Sequence, residues 1–392
     1  MENNTHFNPK SVYTKFVELF DTQPILVRSP GRINLIGEHT DYNEGYVMPA
    51  ANDRDIVVGI DFSIDTHATL YSVKHNEFFS FHTSDPAKVK SPLWANYLLG
   101  VVRKFIDEGK TVKPFNCVVD GDVPTGAGLS SSAALECSFA FALNHLHQFN
   151  IPRKRLITMA QWAEHNYAGV KCGIMDQFSS MMGLKGKAFV LDCRSLEYRY
   201  FPVDLSESSI VLCDSMVKHS LASSEYNTRR AECEQGVAIL RKYYPHVISL
   251  RDATLSMVEE HKTEFSDKAY SRCTYVIQEN ARVLEASKDL EKNDLQSFGK
   301  KMYATHTGLS ELYEVSCEEL DYLIQLTYPH QEVLGARMMG GGFGGCTLNL
   351  INKTETTRFT EWVKEKYVAT FKKEPDFYSV NLCEGVHTMS QT

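Results

Sequence analysis

The stretch SPGRINLIGEHTDYNEGYVMPA, Ser29 to Ala50, sets Arg32, Glu38, His39 and Asp41 around the apolar run INLIG. Two carboxylates and an imidazole in four consecutive positions can hydrogen-bond several hydroxyl groups at once. A site built that way rejects a compound with one hydroxyl misplaced, because its own buried polar groups then go unpaired. A solvated surface loop would use the same residue types, so the cluster alone leaves both readings open. A second stretch, VPTGAGLSSSAALE from Val123 to Glu136, joins a strand-like run to a helix. Gly126 and Gly128 let backbone approach a ligand closely, and Ser130, Ser131 and Ser132 open the helix. The first N–H groups of a helix lack internal partners and its dipole favours negative charge there, so this is a phosphate cradle. It is not a Walker A loop, because no Gly-Lys-Ser/Thr follows. The alternative is a serine-capped helix after a glycine turn. The helix behind, AALECSFAFALNHL, is apolar on nearly every face and therefore buried, which favours the binding-site reading.

A third stretch, RMMGGGFGGCTLNL, carries five glycines in six residues. A turn needs one or two; the rest cost backbone entropy. Close packing against a ligand or another loop and a purely structural tight connection both fit. Asp176 lies in CGIMDQFSSMMG, just inside a helix start after Gly173, where the helix dipole favours a negative charge. Glu164 falls beside the apolar series Leu156, Ala160, Ala163 and Tyr167 on another helix, at the edge of its buried face. Trp94 and Tyr97 are three apart and share a helix face. Taken singly, each has a structural explanation: a first-turn Asp, an exposed helix Glu, core aromatics.

The elements that must position these groups are readable in outline. Residues 10–20 form an amphipathic helix, and ILVRS, DIVVGIDF, HATLYSV and FNCVVDGDV read as strands. SPLWANYLLGVVRKFIDEG and PRKRLITMAQWAEHNYAG read as helices, the second started by Pro152 and stopped by Gly169. KAFVLDCRS and SSIVLCDSM are strands again. Three long helices follow residue 215, then EELDYLIQLTYP, the glycine cluster, the strand CTLNLIN, a helix and the strand DFYSVNLC. Strands and helices mix without strict βαβ alternation, so the expected fold class is α+β with two lobes, divided here as residues 1–205 and 206–392.

With 392 residues the chain has room for two domains. A hydrophobic content of 43% and a charged content of 23% are ordinary for a globular protein. The net charge of −8 argues against a nucleic-acid binder, so an anionic ligand must be held by local donors. The polar N-terminal segment is neither signal peptide nor membrane span. Ten singly placed cysteines, without a C-x-x-C pair, read as reduced thiols in a cytoplasm.

In order and spacing, GRINLIGEHTDY, PTGAGLSSSAALE and MMGGGFGGCTLNL resemble the three motifs of the GHMP kinases, and the first resembles the galactokinase signature. SPLWANYLLGVV, AEHNYAGVKCGIMDQFSSMMG, LDCRSLE, SSEYNTRRAECE and YEVSCEELD extend that resemblance over nearly the whole chain. It implies a two-lobed fold: an N-terminal lobe like the second domain of ribosomal protein S5, a ferredoxin-like C-terminal lobe, and the active site between them. It also implies an ATP-dependent sugar 1-kinase acting on D-galactose, the first committed step of galactose catabolism, with no protein partner and a monomer expected. By the same resemblance Asp176 is the catalytic base and Arg32 its neighbour. Glu38, His39, Thr40, Asp41 and Tyr226 bind the sugar. Ser72, Trp94, Tyr97 and the loop Gly126, Ala127, Gly128, Leu129, Ser130, Ser131, Ser132 bind ATP, and Ser132 with Glu164 holds Mg²⁺. Two departures from the family pattern stand out: Met339 replaces the usual Thr, and Glu311-Leu312 replaces an acidic or Asp-aromatic pair. An N-acetylgalactosamine kinase and a non-catalytic sugar and nucleotide sensor are the alternatives; the intact Ser130 to Ala133 segment, Asp176 and Arg32 argue against the sensor.

Overall fold

The computed structural model describes residues 7–217 and 222–390. Alternation along the early strands builds the first layer. Helix α1 (Lys10–Phe20) leads into β1 (Ile25–Asn34), β2 (Tyr46–Val47), β3 (Pro49–Phe62), β4 (Ala68–Ser72) and β5 (Glu77–Phe81). After α2 (Ala95–Asp107) comes β6 (Phe115–Gly121). These strands form a sheet of order β1-β3-β6-β4-β5, antiparallel except between β4 and β6. Val27, Val58, Ile60, Cys117 and Val119 point to one face; Leu26, Val57 and Val118 point to the other. The two-residue period thus gives the sheet two apolar faces. Helix α1 covers the second with Val12 and Phe16. The first is covered by α2, α3 (Ser131–Leu146), α4 (Arg153–Ala163) and α5 (Met175–Met182).

Helix α4 does not stop at its last α-helical residue. It runs into a π-helical turn, Glu164–Ala168, which ends at Gly169 with φ of 84°. The widened turn carries Glu164 into the buried region beside α3 and α5. Strands β7 (Lys187–Asp192) and β8 (Tyr198–Pro202) then form a small sheet with β2.

From β9 (Ser208–Asp214) onward the chain builds a second layer system with α6 (Ala222–Arg241), α7 (Leu255–Glu260), α8 (Asp267–Glu291), α9 (Leu295–Thr307), α10 (Glu318–Gln325), β10 (Val333–Met338), β11 (Cys346–Asn352), α11 (Thr356–Phe371) and β12 (Asp376–Val380). Its four-stranded sheet has the order β10-β11-β9-β12, antiparallel throughout. Helices α10 and α11 pack on one face through Leu323, Ile324, Phe359 and Tyr367. The other face, with Ile210, Leu212, Leu348 and Leu350, packs on α8 and α9 and on Ile33, Leu35 and Met48 of the first lobe. The chain then returns: β13 (His387–Thr388) pairs with the free edge of β1 at Val27 and Arg28.

The fold class is therefore α+β with two sheet systems and a shared core between them. Strands β5, β8, β10 and β13 were not legible in the sequence, and β1 and β3 run well past the short runs ILVRS and DIVVGIDF. Both extensions enter Pro30–Asn34 and Pro49–Arg54, where the buried polar residues Arg32, Asn34, Asn52 and Arg54 interrupt the apolar alternation. No helix among the described residues is long and apolar enough to cross a membrane.

Candidate active site

At the β1 bulge between Pro30 and Arg32, backbone geometry sets the entrance to the cleft. A Cβ on Gly31 would lie 2.6 Å from the Leu129 carbonyl oxygen, so only glycine lets β1 touch the loop before α3. The Arg32 amide donates to that same carbonyl at 3.1 Å. Arg32 then extends its guanidinium along the loop. Its Nε donates to Asp176 Oδ1 at 2.8 Å, and Nη1 donates to the Gly128 carbonyl. Ser130, the residue before α3, has φ of 60° and donates its hydroxyl to Asp176 Oδ2 at 2.6 Å. Both carboxylate oxygens of Asp176, at the second position of α5, are thereby engaged. Burial opposes the charge on Arg32, but Asp176 and Glu38 hold its pKa above the ordinary value.

Arg32, Glu38, His39, Asp41, Glu164, Cys172, Asp176, Tyr226 and the Gly340–Gly342 backbone line one cavity of about 240 Å³. Burial pushes Glu38 toward the neutral form, yet Arg337 and Arg32 outweigh it and keep its pKa below the ordinary carboxylate value. Burial drives His39 down to about 4, so its ring is neutral near pH 7. That ring makes a 2.8 Å hydrogen bond with the Tyr42 hydroxyl, which continues to Tyr313 at 2.8 Å. Burial, then the charge of Asp176, push Asp41 up to about 7. Gly173 faces this carboxylate directly: a Cβ there would lie 1.9 Å from Asp41 Oδ2. Tyr226, from α6, closes the cavity against the His39 and Tyr42 rings at centroid distances of 5.4 and 5.0 Å. Thr40 does not line the cavity; its hydroxyl lies 2.6 Å from the Tyr46 carbonyl and 3.0 Å from that of Gly37, which holds the loop together.

A second cavity of about 180 Å³ lies on the other side of the serine run. Ser72, Trp94, Tyr97, Ser131 and Ser132 line it, together with Lys74, His75 and Thr125. Trp94 anchors its indole N–H on Glu77 at 2.9 Å. Lys74 reaches Thr125 at 2.6 Å and places a cation at the mouth of the glycine loop. Gly126 and Gly128 have φ of 87° and 75°. Ala127 and Leu129 turn their side chains into the shared core beside Met339, so this loop offers a ligand its backbone. Ser132 Oγ donates to Glu164 Oε1 at 2.9 Å and so links the two cavities.

The glycine surplus of the third motif is answered here by loop packing. Gly340 and Gly128 face each other across the cleft, and a Cβ on Gly340 would lie 3.2 Å from the Gly128 Cα. Met339 is a core residue whose backbone pairs with Cys346, at 2.9 Å. Glu311 and Leu312 line neither cavity; Glu311 is exposed and Leu312 packs in a separate core. Sequence reasoning passed over Arg337. This fully buried guanidinium donates to Glu38 Oε1 at 3.0 Å, to the carbonyls of Leu35 and Met338 at 2.9 and 2.7 Å, and to that of Asn34. A lone Arg within LGARMMGGG, flush against glycines, was the available signal. Lys74, His75 and Gln177 were passed over as well.

Comparison with known proteins places this geometry in a family. The GHMP kinases N terminal domain matches residues 96–184, the galactokinase galactose-binding signature residues 14–61, and the GHMP kinases C terminal domain residues 286–368. Galactokinase of Thermotoga maritima is 40% identical over 361 residues, covering 92% of this chain and 99% of that protein. The chain belongs to the galactokinase family of GHMP kinases. Galactokinase of Clostridium acetobutylicum is also 40% identical, over 91% of this chain and 92% of that one. The crystal structure of Lactococcus lactis galactokinase complexed with galactose superposes with a TM-score of 0.93 at 32% identity, covering 97% of this chain and 99% of that one. Mevalonate kinase of Methanococcus jannaschii shares the fold, with a TM-score of 0.62 at 16% identity over 92% of this chain and 99% of that one.

Arg337→Met leaves the Glu38 carboxylate buried without its closest cation. Urea unfolding is expected to show a loss of about 3–5 kcal/mol, the usual cost of breaking a buried ion pair from one side. Adding Glu38→Gln is expected to recover part of that loss, and strict additivity of the two substitutions would refute the coupling.

Proposed function

We propose that this chain is an ATP-dependent galactokinase that transfers the γ-phosphoryl group of ATP to the anomeric hydroxyl of D-galactose, giving galactose 1-phosphate and ADP. The observation that carries this reading is the Arg32–Asp176–Ser130 cluster, which lies where a hydroxyl-binding cavity meets a phosphate loop. Glu38, His39, Asp41 and Tyr226 bind the sugar, each through a group already oriented by its neighbours. The second cavity takes the nucleotide, with Trp94 and Tyr97 beside the base, Ser72 at its edge, and the Gly126–Ser132 backbone around the phosphates.

In the chemical step the anomeric oxygen attacks the γ-phosphorus, the bond from that phosphorus to the ADP oxygen breaks, and the hydroxyl proton passes to Asp176. The Arg32 guanidinium keeps the base in place and faces the charge on the transferred group. The residues present fit a divalent cation shared with the nucleotide. Glu164 is buried, and burial followed by the Asp176 charge raises its pKa, so a nearby cation would relieve it. No group of three or more His, Cys, Asp or Glu able to hold a metal occurs among the described residues. Ser132 and Glu164 would therefore hold Mg²⁺ together with phosphate oxygens, the usual mode for that ion. Bound there, it neutralises the β- and γ-phosphate oxygens. All ten cysteines are unbridged, which suits a reducing cytoplasm.

Turnover with galactose, glucose and N-acetylgalactosamine tests the assignment. Galactose is expected to exceed glucose by about 10⁴-fold in kcat/KM, the discrimination available to a site that pairs each hydroxyl. Comparable rates for the two hexoses would refute the sugar-site reading, and preference for the acetylated sugar would redirect it.

Asp176→Asn keeps size and the Ser130 contact but cannot take a proton. Single-turnover rates are expected to fall by about 10²–10⁴-fold while galactose affinity stays near wild type. A wild-type rate with intact binding would remove Asp176 as the base.

Galactose binding should also depend on pH through Asp41. Its folded-state pKa is raised to about 7, so the free chain gains a proton there as pH falls through that value. The protonated carboxyl loses acceptor capacity, so calorimetric affinity is expected to weaken between about pH 8 and about pH 5.5. His39, at about 4, stays neutral across this window. Asp41→Asn should remove the slope; a slope retained in that variant assigns it elsewhere.

A further inference from the structure

The reaction scheme gives Gln177 no task, yet its surroundings are unusual for a core amide. It follows Asp176 on α5, is fully buried and lines neither cavity. Its Nε2 lies 2.6 Å from Glu164 Oε2 and 3.3 Å from Glu136 Oε2. The amide is assigned with its NH₂ end between the two carboxyl groups, where its two hydrogens can be donated. Glu136 is itself fully buried, four residues beyond Ser132 on α3 and therefore on the same helix face. Glu164 is thus gripped at both oxygens. Ser132 from α3 donates to Oε1 at 2.9 Å, and Gln177 from α5 donates to Oε2. The third contact among the described residues is the weak thiol donor of Cys172, at 3.3 Å.

We propose that Gln177 is a positioning residue that holds the Glu164 carboxylate in register with the Asp176 carboxylate, with Glu136 as its far anchor. Asp176 and Glu164 stand on different elements, a helix start and a π-helical turn. Adjacent residues on one helix move together, so the hydrogen bond from Gln177 to Glu164 ties the base to the cation-holding group. The residue type fits the task. An Arg or Lys at this position would neutralise Glu164 and compete with a cation for its charge, and a carboxyl would repel it. An amide orients the carboxylate and leaves its charge available.

This rests on the reading of Glu164 as the group that holds the divalent cation, and the experiment separates the two. Gln177→Met keeps the volume and removes both donors. In the full chain, the half-saturating Mg²⁺ concentration is expected to rise and kcat to fall by about 10–100-fold, the usual range for residues that orient a metal ligand. The galactose KM is expected to stay within about twofold of wild type, since Gln177 does not line the sugar cavity. Calorimetry gives a readout apart from turnover: ADP affinity without metal is expected to be unchanged, and its enhancement by Mg²⁺ to drop by about tenfold. If Gln177 merely fills the core, a folded Gln177→Met retains wild-type metal behaviour and the proposal is overturned. Glu164→Gln runs alongside. A wild-type Mg²⁺ titration in that variant removes the metal-holding reading and the proposal with it; a shift there with none in Gln177→Met removes the proposal alone. Should Gln177→Met fail to fold, Glu136→Met tests the same brace from its other end. The same split at smaller amplitude supports it, and wild-type metal dependence overturns it.

Discussion

Among the described residues carboxylates outnumber cations in the cleft, and most of the structure around it answers to that constraint. Glu38, Asp41, Glu164, Asp176 and Glu136 crowd a largely buried region where Arg32 and Arg337 lie closest to the carboxylates. Charge left unpaired in such a place costs several kcal/mol. Each carboxylate therefore meets a different solution. Glu38 takes both arginines and the Gly340 amide, at 2.7 Å. Asp176 takes Arg32 and the Ser130 hydroxyl. Among the described residues Asp41 and Glu164 have no ion pair of their own, and both are pushed toward the neutral form. These are the groups that gain most from a ligand's hydroxyls or a bound cation, so binding and electrostatic relief coincide.

Charge crowding of this kind requires rigid walls, and the second lobe supplies them to the first. Helix α8 reaches across with three residues. Tyr275 donates to the Glu38 carbonyl at 3.0 Å, Glu279 accepts from the Gly37 amide at 2.8 Å, and Asn280 accepts from the Tyr46 amide at 2.9 Å. Together with Arg337, they fix the backbone of the Glu38–Asp41 segment from outside. The loop is thus held by hydrogen bonds spanning more than two hundred residues of sequence, and its side chains remain free to face the cavity.

Glycine does the complementary work of letting backbones meet. Gly31 against Leu129 and Gly173 against Asp41 are contacts that a Cβ would break, and Gly128 against Gly340 is one that it would crowd. Each lies where two of the three recognisable motifs, or a motif and the segment leading into α5, come together. The glycine count of the third motif reflects this convergence: Gly340 and Gly345 pack against the Gly126–Gly128 loop, Gly342 against the Val315 backbone and Gly344 against that of Val217.

Read alone, the sequence determined a good deal. Periodicity located α1, the buried α3 and the long C-terminal helices, because packing against a core imposes a repeat that apolar residues display. The three motifs pointed to the kind of chemistry, because hydroxyl and phosphate recognition need particular donors at short spacing, and the structure gathers most of the residues they name around two cavities. Elements without a clear apolar repeat escaped: the last residues of β1, the first of β3, and β13, which is two residues long and pairs with β1. Arg337 and Gln177 escaped for a related reason. The glycines beside Arg337 were the one local signal and Gln177 had none, since their roles consist of partners 299 and 13 residues away. Which carboxylate is ionised, which amide braces which acid, and which glycine admits which backbone were decided only when the tertiary structure set burial and distance. Those two quantities govern pKa values and hydrogen bonds, and a linear sequence contains neither.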